Sequence, residues 1–184
     1  MSNNVFSEVS KFKSGYDMSS VDEFFKKARQ AYESETLSLG VADIQNASFP
    51  LTRGSGYATE EVDAALDRLE VAFTVKYRDD IKNTLGTNAW AEELTARART
   101  LYGRLRRPAG ERFDTPRDSK WGYDKKEVDA LCDRLTAYFD RSAIITSSDV
   151  KFASFSARKN SKAYDEASVD AFLARATQVL LGVE

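Results

Sequence analysis

The stretch GYDKKEVD, residues 122–129, decides the fold expected for this chain, because three closely related stretches stand elsewhere in it. They are GYDMSSVD at residues 15–22, GYATEEVD at residues 56–63 and AYDEASVD at residues 163–170. We number these phrases one to four in chain order. Phrases one and three are separated by the same distance as phrases two and four. The spacing indicates a duplicated segment, and short repeated segments that cannot bury an apolar face alone pack on one another.

Each phrase carries the residues that start an α-helix. In phrase three, Asp124 stands as an N-cap with Glu127 three residues later, the pattern of a capping box that satisfies free backbone N–H groups. Tyr123 and Val128 have the spacing of a hydrophobic staple, which fixes the angle at which the chain enters the helix. The glycine before the tyrosine suits a backbone with positive φ. The predicted structural staple comprises Tyr16, Val21, Tyr57, Val62, Tyr123, Val128, Tyr164 and Val169.

Apolar residues follow each valine at helical spacing, as in Val128, Cys132, Leu135 and Phe139. A one-sided stripe of this kind packs helix on helix. We therefore predict an all-α fold, a duplicated two-unit helical repeat. It has four loop-helix units, one extra central helix, and short helical turns or hairpin-like loops before each long helix. The predicted domains are a first unit pair at residues 1–85, a connecting helix at residues 86–110 and a second unit pair at residues 111–184.

The connecting helix is rich in arginine. This excess favours an anion-facing patch for lipid head groups or an acidic partner. The alternative is a solvated face that pairs with neighbouring acidic helices, since the arginines spread around the helix. The candidate anion patch comprises Arg97, Arg99, Arg104, Arg106 and Arg107.

The composition argues against several classes of function. The chain has no histidine, so it offers no imidazole base or histidine metal ligand. Its paired carboxylates lie on charged helix faces, and no glycine-rich phosphate loop is present. We expect no enzyme activity, no metal and no cofactor. The net charge of −2 also argues against general nucleic-acid binding, and no apolar run approaches the ~20 residues that span a membrane.

A phenylalanine and a polar linker precede each phrase. Together with Gly-Tyr-Asp, three residues and Val-Asp, this pattern resembles the N-terminal domain of DivIVA, the bacterial pole and septum scaffold. The tandem copies and the middle segment WAEEL, residues 90–94, make nearly the whole chain similar to DivIVA-domain repeat proteins of actinobacterial type. The resemblance implies pairing through crossed loops, and here we expect phrase one to pair with phrase two and phrase three with phrase four. No sustained heptads follow the phrases, whereas DivIVA continues into a long coiled coil.

The resemblance also implies membrane binding through a loop phenylalanine and nearby basic residues. The positions that match as candidate partner or membrane contacts are Phe6, Phe49, Arg53, Phe113, Arg117, Phe155, Arg158 and Lys159. The alternative is a phenylalanine that folds back beneath its own helix.

We therefore expect a non-enzymatic protein-interaction or scaffold adaptor related to bacterial cell division or polar growth. The expected partner is a DivIVA-like scaffold or a second copy of the chain, with no nucleic acid and no small-molecule substrate. The alternative function is peripheral binding of anionic lipids by the loop phenylalanines and arginines. The expected location is cytoplasmic, including the inner face of the membrane at the pole or septum.

Overall fold

A computed structural model describes residues 5–34, 39–117 and 121–184 of the chain. The chain divides into two compact halves, Met1–Asp80 and Ile81–Glu184, which we describe separately as the N-terminal and C-terminal halves. The division falls within one long helix. The sequence predicts boundaries after residues 85 and 110.

The N-terminal half combines helices with a small sheet. Its elements are β1 (Ser14–Tyr16), α1 (Met18–Glu33), α2 (Val41–Gln45), β2 (Leu51–Arg53) and α3 (Thr59–Leu85), which continues past the division. Strands β1 and β2 pair antiparallel, with Gly15 opposite Thr52. One group of buried side chains joins the helix entries at Val21, Tyr57 and Val62.

The C-terminal half contains the remaining helices and a second sheet. Its elements are α4 (Thr87–Leu105), β3 (Trp121–Asp124), α5 (Lys125–Phe139), α6 (Ser147–Lys151), β4 (Ala157–Lys159), β5 (Ala163–Tyr164) and α7 (Glu166–Val183). A short 3₁₀ turn at Asn160–Lys162 joins β4 to β5. Among the described residues the sheet has the order β4-β3-β5, with antiparallel pairing on both sides of β3.

Helix α7 forms the centre of the C-terminal core, because nine of its 18 residues are buried and most of these are apolar. Helix α4 packs against it. The indole nitrogen of Trp90 donates to the carbonyl oxygen of Gly182 at 3.2 Å. A Cβ at Gly182 would collide with Leu94 and Trp90, so glycine permits the two helices to approach closely.

The prediction of an all-α fold is wrong, because each half contains a small antiparallel sheet. The two sheets also differ in strand number, so a duplicated helical repeat does not describe the fold. The strands have four residues or fewer, too few for a period-two pattern to be recognised. In addition, their partners are distant in sequence, as in the pairing of Gly15 with Thr52.

Two local predictions about the phrases also need correction. Asp124 caps α5 by accepting from the N–H of Lys126, but Glu127 does not complete a capping box. The Glu127 carboxylate instead accepts from the N–H and hydroxyl of Ser156 at 2.6 and 2.8 Å. The Glu127 carboxylate therefore accepts from the loop before β4 and not from the backbone N–H of Asp124, as a capping box would require.

Positive φ explains the glycine of phrase two alone. Gly56 has φ of 122°, whereas Gly15 and Gly122 are not among the glycines with positive φ. At Gly15 and Gly122 a Cβ would collide with the carbonyl oxygens of Tyr57 and Tyr164 respectively. Glycine is therefore needed at these two positions because another stretch of backbone passes close by.

Candidate functional site

Backbone hydrogen bonds cross between the phrases at the helix entries. The donor in each phrase is the backbone N–H of the residue after the tyrosine. The acceptor is a backbone carbonyl in the loop before another phrase, at the residue that follows the loop phenylalanine. The donor and acceptor pairs are Asp17 with Pro50, Ala58 with Ser7, Asp124 with Ser156 and Asp165 with Asp114, at 2.8 or 2.9 Å. These bonds join phrase one to phrase two and phrase three to phrase four.

The tyrosine and the final aspartate of the phrases cross in the same way. The hydroxyl of Tyr57 donates to Asp22 at 3.1 Å, and that of Tyr164 donates to Asp129 at 3.0 Å. The reciprocal pairs are Tyr16 with Asp63 and Tyr123 with Asp170, in which the carboxylate lies close enough to raise the pKa of the phenol. Burial and the neighbouring carboxylates raise the pKa of all four phenols, and that of Tyr164 reaches about 12. The neutral phenol is therefore the stable form at each crossing.

The four staple valines are fully buried, and so are Tyr57 and Tyr164. Tyr16 and Tyr123 are half-buried. The staple residues are therefore used in packing the helix entries, and the crossing hydrogen bonds add a contact that the staple pattern did not predict. The signal for it was the aspartate that ends each phrase, since its position after the buried valine is constant.

The loop phenylalanines pack on the crossed tyrosines. The ring pairs are Phe6 with Tyr57, Phe49 with Tyr16, Phe113 with Tyr164 and Phe155 with Tyr123, with centroids 5.2 to 5.5 Å apart. Phe6 and Phe113 are buried, whereas Phe49 and Phe155 are half-buried. These rings therefore belong to the packing between phrases. The basic residues predicted beside them, Arg53, Arg117, Arg158 and Lys159, are exposed.

A buried arginine completes the crossing in the C-terminal half. Arg112 donates from its guanidinium to the carbonyl oxygen of Asp129 at 2.8 Å and to the carboxylate of Asp133 at 2.5 Å. Its backbone N–H donates to the Tyr164 hydroxyl at 3.1 Å. Because a buried charge is costly without partners, this network fixes the chain before Phe113 against α5.

The arginines of the predicted anion patch differ in their contacts. Arg97 pairs with Glu93 and lies over the Trp90 ring, and Arg106 lies over the Tyr102 ring. Arg99 is exposed. Arg104 and Arg107 meet at one place, where they donate to the carbonyl oxygen of Arg112 at 3.1 and 3.4 Å respectively.

Exposed apolar residues lie beside cations at the sheet of the N-terminal half. Phe12 is 89% exposed and Leu51 is 63% exposed. The exposed side chains of Lys11, Lys13 and Arg53 flank them in sequence. Gly54 holds the two chain segments together, since its N–H donates to the carbonyl oxygen of Lys13 at 2.8 Å. We name this surface the N-terminal tip: Lys11, Phe12, Lys13, Leu51 and Arg53.

The sheet of the C-terminal half has a comparable surface. Trp121 is 59% exposed, and the Lys159 ammonium lies 4.3 Å from its ring centroid. A neighbouring cleft of about 620 Å³ is lined by four cationic side chains and Asp124, which pairs with Arg158 at 2.6 Å. We name this surface the C-terminal tip: Trp121, Lys125, Lys126, Arg158, Lys159 and Lys162.

Sequence reasoning missed the aromatic residues of both tips. Phe12 lies between Lys11 and Lys13, and Trp121 stands immediately before phrase three, so neither belongs to a helical stripe. A large apolar residue outside any helical period and next to lysine was the available signal. The loop phenylalanines fit the family pattern, whereas Phe12 and Trp121 stand outside it.

Comparison with known proteins gives no relative from which a function can be transferred: no protein-family model, curated protein or solved structure matches the chain. Within the described residues, no helix combines the length and the apolar character needed to cross a membrane.

Proposed function

We propose that this protein is a non-enzymatic adaptor of the DivIVA-like kind that binds the anionic inner face of a membrane through its two tips, at the cell pole or septum. The observation that carries the proposal is the exposure of Phe12, Leu51 and Trp121 among basic side chains. The family pattern assigns membrane contact to the loop phenylalanines. Because these rings are used in packing, we assign that contact to the two tips.

The apolar part of each tip suits insertion at the head-group level of a bilayer. Exposed aromatic residues in contiguous patches usually mark a binding surface. Tryptophan favours the membrane interface because one end of its ring system is apolar and the other is polar. Burying a side chain of the size of Phe12 contributes about 1.5–3 kcal/mol. Two or three such side chains give weak, reversible attachment.

The charged part of each tip suits anionic lipids. Among the described residues, Lys11, Lys13 and Arg53 have no carboxylate within ion-pair distance, so the charge of the N-terminal tip is not neutralised internally. Lys126 and Lys162 of the C-terminal tip are also exposed. Each basic residue near an anionic surface contributes about 1 kcal/mol at physiological ionic strength. The net charge of the chain is −2, but both tips are locally positive.

Vesicle sedimentation tests this proposal. The protein should sediment with vesicles that contain phosphatidylglycerol, should bind phosphatidylcholine vesicles weakly, and should dissociate as salt is raised, since screening weakens attraction between exposed charges. The double variant Phe12→Ser and Trp121→Ser should bind at least about tenfold more weakly, because it loses two apolar insertions.

A matched control separates the tips from general surface hydrophobicity. Ile144 is 90% exposed in the connection between α5 and α6, outside both tips. Ile144→Ser should bind as tightly as the wild type. Equal binding by the wild type and the double tip variant would overturn the proposal.

A second candidate is adaptor binding to a DivIVA-like protein scaffold. Strand β4 favours it, because β4 is the outer strand of its sheet and all three of its residues are exposed. An exposed edge can accept a strand from a partner, and Arg158 and Lys159 would select an acidic one. Trp121→Ser leaves this edge intact. Scaffold binding that survives Trp121→Ser but is lost in Arg158→Glu would favour this function over membrane attachment.

A further inference from the structure

A cleft of about 390 Å³ lies between α4 and α7 in the C-terminal half. From α4 it is lined by Thr100, Gly103 and Arg104, from the segment just after α4 by Arg107, and from α7 by Ser168 and Arg175, among others. Residues three, four and seven apart lie on the same face of a helix, so these side chains face each other across the two helices. The volume is within the range of small-ligand sites, which is roughly 300–1,000 Å³.

Three arginines line this cleft, and among the described residues no aspartate or glutamate does. Arg104, Arg107 and Arg175 form no ion pair with any described residue. Three like charges in one cleft repel one another unless an anion neutralises them. The side chain of Asp165 lies beside Ser168 but is already used as the α7 cap, accepting from the Ser168 N–H and hydroxyl.

Two of the guanidinium groups are held in place. Arg104 and Arg107 both donate to the carbonyl oxygen of Arg112, and Arg104 also lies 5.2 Å from the centroid of the Phe113 ring. Each guanidinium has five N–H donors, so most remain available. Held in this way, the two groups lose little side-chain freedom on binding an anion, which improves affinity.

Gly103 contributes no side chain to the wall of the cleft that it lines. Glycine inside a helix destabilises it by roughly 0.5–1 kcal/mol relative to alanine. No neighbouring atom requires glycine at this position, since a Cβ on Gly103 would meet nothing within 4 Å. Close packing therefore does not explain the glycine. A large side chain at this position would occupy part of the cleft.

We propose that this cleft binds a phosphate monoester. Three guanidinium groups match the charge and the acceptor oxygens of a phosphate dianion, and arginine pairs with phosphate through two parallel hydrogen bonds. The two hydroxyl groups in the cleft already donate elsewhere, Thr100 to the carbonyl of Arg97 and Ser168 to Asp165. Recognition of the anion therefore depends on the arginines. The site shares no residue with either tip and does not depend on membrane binding.

Calorimetric titration with inorganic phosphate, at constant ionic strength, tests the site. The wild type should show saturable binding, and Arg175→Gln should weaken it by about tenfold or more, because a charge-assisted pair is lost. Arg175 is exposed and forms no ion pair within the described part of the chain, so this variant should keep the melting temperature. Gly103→Leu should weaken binding as well, by filling the cleft without removing a charge.

The matched control is Arg99→Gln, which removes an exposed arginine of α4 that does not line the cleft. It should bind phosphate as the wild type does. Absence of saturable binding by the wild type, or equal binding by Arg175→Gln and Arg99→Gln, would overturn the proposal.

The source of the phosphate is distinguished by two further probes. Binding of glycerol phosphate in solution, lost in Arg175→Gln, would identify a soluble monoester. Sedimentation with phosphatidic acid vesicles that is kept in the double tip variant, and lost when Arg175→Gln is added to that variant, would identify a lipid head group. Either result supports the cleft. If phosphatidic acid binding depends on the tips and not on Arg175, the lipid arm fails.

Discussion

The hydroxyl of Tyr164 donates to the carboxylate of Asp129 at 3.0 Å, although 35 residues separate them. Both side chains are buried, and Asp129 also accepts from the backbone N–H of Gly110 at 2.7 Å. Three parts of the chain therefore meet at one carboxylate: phrase three, phrase four and the segment after α4. The corresponding contact of Tyr57 with Asp22 joins phrases one and two.

The first prediction concerns this contact. Tyr164→Phe should lower the free energy of unfolding by about 1–2 kcal/mol, because the buried carboxylate loses a donor while the ring packing is kept. Chemical denaturation measures the change. The control is Tyr102→Phe, since the Tyr102 ring packs on Phe139 but its hydroxyl has no hydrogen bond to any described residue. Equal losses in both variants would contradict a specific role for the crossing.

The second prediction concerns alkaline pH. Burial and the hydrogen bond to Asp129 raise the pKa of Tyr164 to about 12, above the value of 10.0 for a free phenol. The folded state therefore holds this proton more tightly than the unfolded state. Its stabilising effect is complete below pH 10 and is lost as pH rises towards 12. Stability measured across this window should fall less steeply in Tyr164→Phe than in the wild type.

The third prediction concerns glycine in phrase three. Gly122→Ala should destabilise the protein by roughly 1–3 kcal/mol, since the new Cβ meets the Tyr164 carbonyl oxygen and Pro116. Gly103→Ala is the matched control, because its Cβ would meet nothing within 4 Å. That variant should be more stable by about 0.5–1 kcal/mol, through helix propensity. Thermal melts that order the two variants the other way would refute the close approach of β3 and β5.

The fourth prediction concerns acid pH. The hydrogen bond from Arg158 and the backbone N–H groups at the start of α5 lower the pKa of Asp124 below its ordinary value. This pairing stabilises the fold above the ordinary carboxyl pKa of about 4 and is lost as pH falls through the lowered value. Asp124→Asn keeps the cap but removes the charge. Its stability should decrease less than that of the wild type between neutral pH and about pH 3.

Much of the local structure could be predicted from the phrases. Asp17 and Asp165 cap their helices, and the staple valines are buried. These features depend on contacts within one turn of a helix, for which sequence spacing is a direct guide. The sheets could not be predicted, because a strand of two to four residues has no period of its own and takes its structure from a distant partner.

The candidate site could be predicted only in part. The family pattern pointed to basic residues that are exposed, such as Arg53 and Arg158. Two of the phenylalanines to which it pointed, Phe6 and Phe113, are buried beside the crossed tyrosines. The cleft between α4 and α7 depends on Arg175, which no spacing in the sequence links to Arg104 and Arg107. Packing of two helices brings the three together.

Quenching of tryptophan fluorescence by brominated lipid tests membrane attachment most directly. The chain has two tryptophans, of which Trp121 is exposed at the C-terminal tip and Trp90 is buried in the core. With vesicles that contain brominated phosphatidylglycerol, the Trp121 emission should be quenched and the Trp90 emission kept, and the quenching should disappear in Trp121→Phe and at high salt. Sedimentation with these vesicles without any quenching of Trp121 would contradict the account, since the protein would then bind through another surface.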